Sequence, residues 1–309
     1  MTDTLDFALE TARRAGTLLR NFERRQAVGH KSSEIDIVTA ADLASERLIV
    51  EAIRARFPEH HILAEEGLGD LHSIVTEIPH LWLVDPLDGT VNYAHGFPVW
   101  GVALALIEEG RVVLGVTYDP LREEMFWAEE GQGSWCNGER LRVSTTGRLR
   151  EALLATGFAY RRASLGDGSR DGTPGNNLAE FGVIMPRVQG VRRAGAATLD
   201  LAYLAAGRLD AYWEMHLQPW DWAAGTLLVR EAGGQVSDMA GAPWLLGTNN
   251  LVASNGLLHA DLLALLRQAD DNHAQPHVEP KDGNRVGEAQ VEKIVVEHPC
   301  GQDAQERSG

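Results

Sequence analysis

Residues 81–90 read LWLVDPLDGT, an apolar run that passes directly into a turn with two carboxylates, Asp85 and Asp88. The first four residues have the composition and length of a buried strand. Pro86 and Gly89 are turn-forming residues, so we expect the chain to bend where this strand ends. A strand that ends in such a bend places fixed negative charge at the edge of a sheet.

The predicted bend also determines the chemistry of this edge. It lets the two aspartates converge, while the main-chain carbonyl of Leu87 can point the same way. Carboxylate and carbonyl oxygens on a rigid turn suit a hard cation such as Mg²⁺. If Gly89 and Thr90 open a helical turn, their free N–H groups offer an anion site beside the cation. The alternative interpretation of residues 85–90 is an ordinary turn rich in aspartate.

Further carboxylates lie at other predicted element boundaries. Glu65-Glu66-Gly67 follows the apolar run HILA, Trp220-Asp221 stands at a predicted helix start, and Lys31, Asp36, Thr39 and Asp42 lead into another helix. Each has a simpler explanation, namely a solvated acidic loop, an N-terminal cap at Asp221, or a cap at Thr39. In a chain that lacks Cys or His metal-binding spacing, their combination favours a shared metal site.

The overall composition narrows the class of protein. The 309-residue chain has a formal net charge of −16, and 44% of its residues are hydrophobic. This charge disfavours nucleic-acid binding and would repel a phosphorylated ligand unless bound cations or a local basic group intervene. The two cysteines are far apart, which argues against a disulfide framework or a cysteine zinc site. The start is unlike a signal peptide and no apolar run has the length of a membrane span, so we expect a soluble, cytoplasmic protein.

The pattern of apolar residues predicts three regions. Residues 1–148 form an N-terminal α+β half, with helices at 4–24 and 40–56, a short hairpin within 29–39, and a largely antiparallel sheet of strands at 61–64, 81–84, 99–107, 112–118 and 124–128. Residues 149–269 form a C-terminal α/β half, with helices at 176–189, 196–206, 221–232 and 257–268 and strands at 153–156, 211–214, 235–238 and 251–254. We interpret residues 166–175 as a glycine-rich mobile loop and residues 270–309 as a polar, weakly ordered or partner-dependent extension.

Several segments resemble the inositol monophosphatase family, and most closely its bacterial SuhB-type members. In the family's order they are AEEG at 64–67, WLVDPLDGTVNY at 82–93, ATGFAY at 155–160, RRAGAATLDLAYLAAGRLDAYWE at 192–214 and PWDWAAGTLLVREAGGQVSD at 219–238. The similarity covers nearly the whole chain to residue 268. The resemblance implies an α/β fold, the layered αβαβα sandwich of inositol monophosphatase and fructose-1,6-bisphosphatase. It also implies a homodimer and a Mg²⁺-dependent, lithium-sensitive phosphomonoesterase.

The resemblance further implies roles for individual residues. Of two or three Mg²⁺ ions, the first would be held by Glu65, Asp85 and the Leu87 carbonyl, the second by Asp85, Asp88 and Asp221, and a weaker third ion with the help of Glu65. Thr90 and Asp42 would orient the attacking water, and the N–H groups of Gly89 and Thr90 would bind phosphate. The substrate side would be lined by Gly195, Ala196, Ala197 and Glu214, and a flap would contain Lys31 and Asp36.

The sequence leaves alternatives open for both the substrate and the class of function. Glu214 favours a polyhydroxylated ring such as an inositol monophosphate, but Ala196 stands where many family members carry Ser or Thr. Fructose 1,6-bisphosphate, histidinol phosphate and 3′-phosphoadenosine 5′-phosphate are the alternatives. The resemblance also implies a SuhB-like accessory partner of RNA polymerase antitermination, with Arg192-Arg193 as a candidate contact. Dimer packing or a salt bridge is the simpler interpretation of these two arginines.

Overall fold

In the computed structural model the chain starts with two helices and a hairpin: α1 (Asp3–Asn21), β1 (Ala27–His30), β2 (Ile37–Thr39) and α2 (Ala40–Arg56). The structure describes residues 3–22, 27–31, 35–70, 78–160, 162–163, 165, 175–243 and 247–274. The two predicted helices and the antiparallel hairpin are confirmed. Thr39 and Asp42 form a capping box, which fixes the first turn of α2.

The first sheet of the described residues has seven strands in sequence order. They are β3 (His61–Ala64), β4 (His80–Asp88), β5 (Gly101–Glu108), β6 (Arg111–Asp119), β7 (Glu124–Glu129), β8 (Gly133–Cys136) and β9 (Glu139–Arg140). The β3–β4 pair is parallel and each later pair is antiparallel. The predicted strands and their largely antiparallel arrangement are confirmed, while the short strands β8 and β9 escape prediction.

The second sheet has five strands in the order β11-β10-β12-β14-β13. They are β10 (Leu153–Thr156), β11 (Gly190–Arg192), β12 (Ala211–Met215), β13 (Gln235–Ser237) and β14 (Asn250–Ser254). The remaining helices are α3 (Thr90–His95), α4 (Leu178–Ile184), α5 (Ala197–Ala205), α6 (Pro219–Glu231) and α7 (His259–Ala274). Of these helices α3 is the helical turn that the Gly89-Thr90 pattern indicates.

In the part of the chain that the structure describes, three buried cores separate five layers. The first core joins α1 and α2 to one face of the seven-stranded sheet, for example Leu5 and Ile49 against Trp82. The second joins the opposite face of that sheet to α5, α6 and one face of the five-stranded sheet. The third joins the other face of the five-stranded sheet to α4 and α7, as with Trp213 and Leu262. The predicted αβαβα sandwich is therefore confirmed.

The alternation of side chains along the second sheet produces this layering. Tyr212 and Ala253 face the α5–α6 layer, whereas the neighbouring Trp213 and Val252 face α4 and α7. Both sheets belong to one compact unit, Met1–Gln275. Every helix that the structure describes is too short or too polar to cross a membrane.

Two helices differ from the prediction. The helix expected over 176–189 is shorter: α4 ends at Ile184 and continues as a 3₁₀ turn, Met185–Arg187, because Pro186 has no amide hydrogen to donate. The last helix is longer than 257–268, since α7 runs to Ala274 with no Gly or Pro in its sequence to end it. Residues 166–174 and 275–309, which contain most of the predicted loop and extension, lie outside the described residues.

Candidate active site

The turn after β4 places two acidic side chains at one cavity. Asp85 and Asp88 flank an irregularity in the β4–β5 pairing, where the strand bulges. Asp85 is buried, and one of its carboxylate oxygens accepts a hydrogen bond from the Leu87 N–H at 3.1 Å. The hydroxyl of Ser45 in α2 donates to the Pro86 carbonyl at 2.8 Å and fixes the turn from behind.

Glu65 comes to the same place because its strand is the parallel neighbour of β4. The Glu65 N–H donates to the Val84 carbonyl at 3.2 Å, which aligns Glu65 with Asp85. Buried Glu46 of α2 accepts from the N–H groups of Glu66 and Leu68, each at 2.6 Å, and so holds the turn that follows Glu65. This contact is one that the sequence pattern does not reveal.

Asp221 serves two purposes. It is the third residue of α6, and its carboxylate accepts from the Gln218 N–H at 2.7 Å in a capping box. It also lines the cavity that contains Glu65, Asp85 and Asp88. Asp221 therefore takes part in capping, although the N-cap residue is Gln218 and not Asp221 as predicted, and this contact does not exclude a place in the site.

Thr90 and Asp42 form the pair that the resemblance implies. The Thr90 hydroxyl, at the start of α3, lies 2.8 Å from one Asp42 carboxylate oxygen and 3.1 Å from the Leu87 carbonyl. The other Asp42 oxygen accepts from the Thr39 N–H at 2.9 Å. Asp42 is buried behind Thr90, so it reaches the cavity through Thr90 and not directly.

The substrate side of the cavity comes from the second half of the chain. Gly195, Ala196, Ala197 and Glu214 line it, together with Arg193. The Tyr212 hydroxyl donates to Glu214, and burial raises the pKa of the Glu214 carboxyl to about 7. The charge of Arg193 opposes that rise, and this arginine lines the cavity, a position that the sequence pattern does not predict.

Lys31 and Asp36, the predicted flap residues, also line the cavity. The Lys31 ammonium lies 2.8 Å from Glu65 Oε1 and 2.5 Å from Glu66 Oε1. Burial alone would lower the pKa of Lys31, but the two carboxylates raise it well above its usual value. Lys31 therefore stays charged and partly neutralises the acidic wall.

Most of the negative charge in the cavity is nevertheless uncompensated. Burial, reinforced by repulsion from Glu65, raises the pKa values of Asp85 and Asp221 well above their usual range. Burial likewise raises the pKa of Asp88 to about 6, although hydrogen bonds from Thr198 oppose the rise. Glu65 is the charge that acts most strongly on Asp85, a repulsion that a bound cation would relieve.

The donor set therefore fits a hard divalent cation, with carboxylates from Glu65, Asp85, Asp88 and Asp221 and the carbonyl of Leu87 around one cavity. The side chains are not arranged as a ready ligand set, since the described residues contain no group of three or more acidic, His or Cys side chains that could hold a metal as they stand. In this arrangement Glu65 accepts a hydrogen bond from the Lys31 ammonium, and Asp221 accepts one from the Gln218 N–H.

Other cavity residues were missed by the sequence analysis. Thr198 donates to Asp88 Oδ2 through its N–H at 2.8 Å and its hydroxyl at 2.5 Å. Gly157 packs so closely that a Cβ there would lie 1.9 Å from a Glu214 oxygen. Both lie within the segments that carry the family resemblance, which is the signal that could have drawn attention to them. Asp200, Phe158 and Tyr160 complete this side of the cavity.

Comparison with known proteins agrees with this geometry. The sequence profile of the inositol monophosphatase family matches residues 1–271. The chain belongs to the inositol monophosphatase family. The members of this family are phosphatases, and the match spans both sheets and every predicted site residue.

Individual family members are similar over most of their length. The chain is 43% identical over 282 residues to the Nus factor SuhB of Pseudomonas aeruginosa, covering 91% of this chain and 98% of that protein. It is 42% identical to the inositol-1-monophosphatase of Synechocystis sp., covering 84% of this chain and 86% of that protein. The solved structure of an inositol monophosphatase from Anabaena (Nostoc) sp. superposes with a TM-score of 0.74 at 41% identity, covering 86% of this chain and 95% of that one.

Proposed function

We propose that this family member is a Mg²⁺-dependent phosphomonoesterase that hydrolyses a small polyol phosphate, with myo-inositol 1-phosphate or a similar inositol monophosphate as the favoured substrate. One observation carries the proposal: four carboxylates, from the turn after β3, from β4 and from α6, line the same cavity as Glu214 and the start of α3. The acidic side suits divalent cations, and the opposite side offers hydrogen-bond acceptors to hydroxyl groups.

Two or three Mg²⁺ ions would be held by Glu65, Asp85, the Leu87 carbonyl, Asp88 and Asp221. When bound, such ions neutralise phosphoryl oxygens, lower the pKa of water and stabilise a leaving alkoxide. Their charge also removes the conflict between a chain of net charge −16 and an anionic substrate. Lys31 would have to release Glu65 as the ions enter, and it would then be free to face the phosphate.

The chain's own residues would perform the remaining tasks. Thr90 and Asp42, joined at 2.8 Å, would orient the attacking water on one side of the phosphorus atom. The N–H groups of Gly89 and Thr90, at the start of α3, would bind the phosphate oxygens. Glu214 would accept hydrogen bonds from the ring, and Gly195, Ala196 and Ala197 would leave room for it. Direct attack by water on the phosphorus atom needs no covalent phosphoenzyme.

A phosphate-release screen tests this proposal. The substrates are esters of inositol, fructose 1,6-bisphosphate, histidinol phosphate and 3′-phosphoadenosine 5′-phosphate, each with Mg²⁺ and with EDTA. We expect release that depends on Mg²⁺ and is fastest with inositol monophosphate. A strong preference for histidinol phosphate or a nucleotide would replace the proposed substrate, and release that persists in EDTA would contradict the metal site.

Lithium provides an independent check on the proposed cations. A small monovalent ion that enters a magnesium position supplies less charge to the phosphate, so Li⁺ should inhibit in the millimolar range and the inhibition should weaken when Mg²⁺ is raised. NaCl at equal ionic strength is the control. Equal rates in LiCl and NaCl would argue against a lithium-sensitive site.

A regulatory role is a second candidate, because a relative with 43% identity is named Nus factor SuhB. We propose an association with the RNA polymerase antitermination machinery in addition to hydrolysis. Both arginines are exposed, but Arg193 also lines the cavity, so Arg192, at the end of β11, is the better candidate contact of the two. Co-purification of RNA polymerase with the Asp88→Asn variant, and its loss in Arg192→Ala, would support a role separate from catalysis.

We also propose the homodimer that the family resemblance implies. Leu178 and Met185, at the two ends of the α4 region, are about half exposed, as expected of apolar groups that a second copy could cover. Light scattering coupled to gel filtration should give the mass of two chains for the wild type. A monomer at all protein concentrations would contradict the proposal.

A further inference from the structure

One buried acidic side chain in the cavity has no task in the hydrolysis described above. Asp200 is only 3% exposed and lies in the first turn of α5. It stands three residues after Ala197, so the two side chains share the helix face that lines the cavity. The Asp200 carboxylate makes no side-chain cap at the start of α5, so capping does not explain its position.

The Asp200 carboxylate is also unsatisfied by the protein. Among the described residues the carboxylate accepts no hydrogen bond, and the charges that act on it are those of Glu214, Asp88 and Arg193. Burial, together with Glu214 and Asp88, raises the pKa of Asp200 well above its usual value. Because Asp200 lines the cavity, a bound ligand can reach its oxygens and supply the donor that the protein does not.

Glu214 has the complementary arrangement. One of its carboxylate oxygens, Oε2, accepts from the Tyr212 hydroxyl, which anchors the side chain. The carboxylate packs against Gly157, where a Cβ would lie within 2.1 Å of both oxygens, and the other oxygen, Oε1, accepts no hydrogen bond among the described residues. The cavity therefore contains two carboxylates, the buried Asp200 and the partly buried Glu214, each with an oxygen that no protein donor among the described residues occupies.

The charges around Asp200 and Glu214 indicate which kind of hydrogen-bond donor a ligand would present to them. Arg193 lines the same cavity and interacts favourably with both Asp200 and Glu214. A cation is therefore already present beside the pair, so the ligand need not bring another positive charge. Neutral hydroxyl groups satisfy carboxylate acceptors without adding charge.

We propose that Asp200 is a second hydroxyl-binding residue of the substrate pocket and that, with Glu214, it selects phosphate esters carrying at least two ring hydroxyl groups on the side away from the phosphate. This inference rests on the proposed phosphatase function and deepens it. It makes Asp200 a specificity-determining residue, distinct from the residues that act on the phosphate itself.

The test compares substrates in wild type and two variants, Asp200→Ala and Asp200→Asn. The substrates are myo-inositol 1-phosphate, its analogues lacking one ring hydroxyl each, and β-glycerophosphate, which has no ring. Loss of a hydrogen bond to a charged group predicts a rise in KM for inositol phosphate of about 10- to 100-fold in Asp200→Ala. The KM for β-glycerophosphate should change much less, and one deoxy analogue should be nearly insensitive to the mutation.

Several outcomes would overturn the inference. If Asp200→Ala raised the KM for β-glycerophosphate as much as that for inositol phosphate, or raised the Mg²⁺ requirement, Asp200 would support Asp88 or the fold instead. A wild-type preference for an aminodeoxy analogue that disappears in Asp200→Ala would mean that the pair binds a cation. If the wild type released phosphate from no ester, the proposed function itself would fail. Thermal unfolding of both variants, with exposed Asp261→Asn as a matched control, identifies any loss of folding.

Discussion

Asp88 carries much of the proposed chemistry on a single side chain. It lines the cavity with Glu65, Asp85 and Asp221, and Thr198 fixes one of its oxygens. Asp88→Asn removes a ligand charge from the proposed metal site and should lower kcat by about 100-fold or more. Steady-state kinetics in saturating Mg²⁺ would measure the loss, with exposed Asp261→Asn as the control. Near-normal turnover in Asp88→Asn would count strongly against the assignment.

Thr198 tests the same site through a positioning residue. Its hydroxyl donates to Asp88 at 2.5 Å, and its N–H donates to the same oxygen at 2.8 Å. Thr198→Val removes the hydroxyl donor and keeps the shape and the N–H. Partners of metal ligands typically affect metal affinity or activity by about 10- to 100-fold, so the Mg²⁺ concentration for half-maximal activity should rise within that range. Restoration by Thr198→Ser would confirm a hydrogen-bonding role, and an unchanged Mg²⁺ requirement in Thr198→Val would refute it.

The packing of α6 on the first sheet sets the position of Asp221. At Gly115 of β6, a Cβ would lie 2.8 Å from the Cα and from the carbonyl oxygen of Ala224 in α6. Gly115→Ala must therefore push the helix away, which should lower the free energy of unfolding by about 1–3 kcal/mol. The displacement should also raise the Mg²⁺ requirement, because Asp221 is at the start of the same helix.

Urea unfolding and Mg²⁺ titration of Gly115→Ala would measure both effects. Gly147→Ala is the matched control, since a Cβ at Gly147 would meet no atom within 4 Å. If Gly115→Ala were as stable and as active as Gly147→Ala, the close contact between the sheet and α6 would not matter to the site.

Helices and strands that are determined by their own local sequence were predictable. Boundaries and contacts that depend on residues far away in the chain were not. The predicted helix at 40–56 matches α2, because its apolar spacing and its cap at Thr39 are both local signals. The helix predicted from residue 176 instead starts at Leu178, because the Asn177 side chain bonds Thr156 and the Gly157 carbonyl. The sequence showed that carboxylates gather at a strand end, but not that Thr198, 110 positions away, holds Asp88. The roles of the site residues stay predictions until they are measured.

A buried acidic residue far from the active site should make the free energy of unfolding depend on pH. Glu180 of α4 is fully buried, and neither of its carboxylate oxygens has a hydrogen-bond partner among the described residues. Burial, reinforced by Asp270 of α7, raises the pKa of Glu180 from 4.5 to about 7. Because the folded-state pKa is the higher one, this group stabilises the fold fully below pH 4.5. That contribution is lost as the pH rises through about 7.

Glu180→Gln removes this titration without changing the size of the side chain. Near pH ~5 the variant and the wild type should have the same free energy of unfolding. Near pH ~8 the free energy of unfolding of the variant should be higher by up to about 3 kcal/mol. Urea unfolding in EDTA at both pH values gives the difference, and Glu51→Gln on the exposed face of α2 is the control. A difference that is the same at both pH values would contradict a buried, titrating Glu180.

Anomalous diffraction from crystals soaked in Mn²⁺, a close substitute for Mg²⁺, tests the central claim most directly. The claim is that Glu65, Asp85, Asp88 and Asp221, which come from separate parts of the chain, share divalent cations. We predict strong manganese peaks inside the cavity that these four residues line, and weakening or loss of the peak at Asp88 in Asp88→Asn crystals. An empty cavity in fully soaked crystals, or manganese bound only elsewhere, would contradict the account.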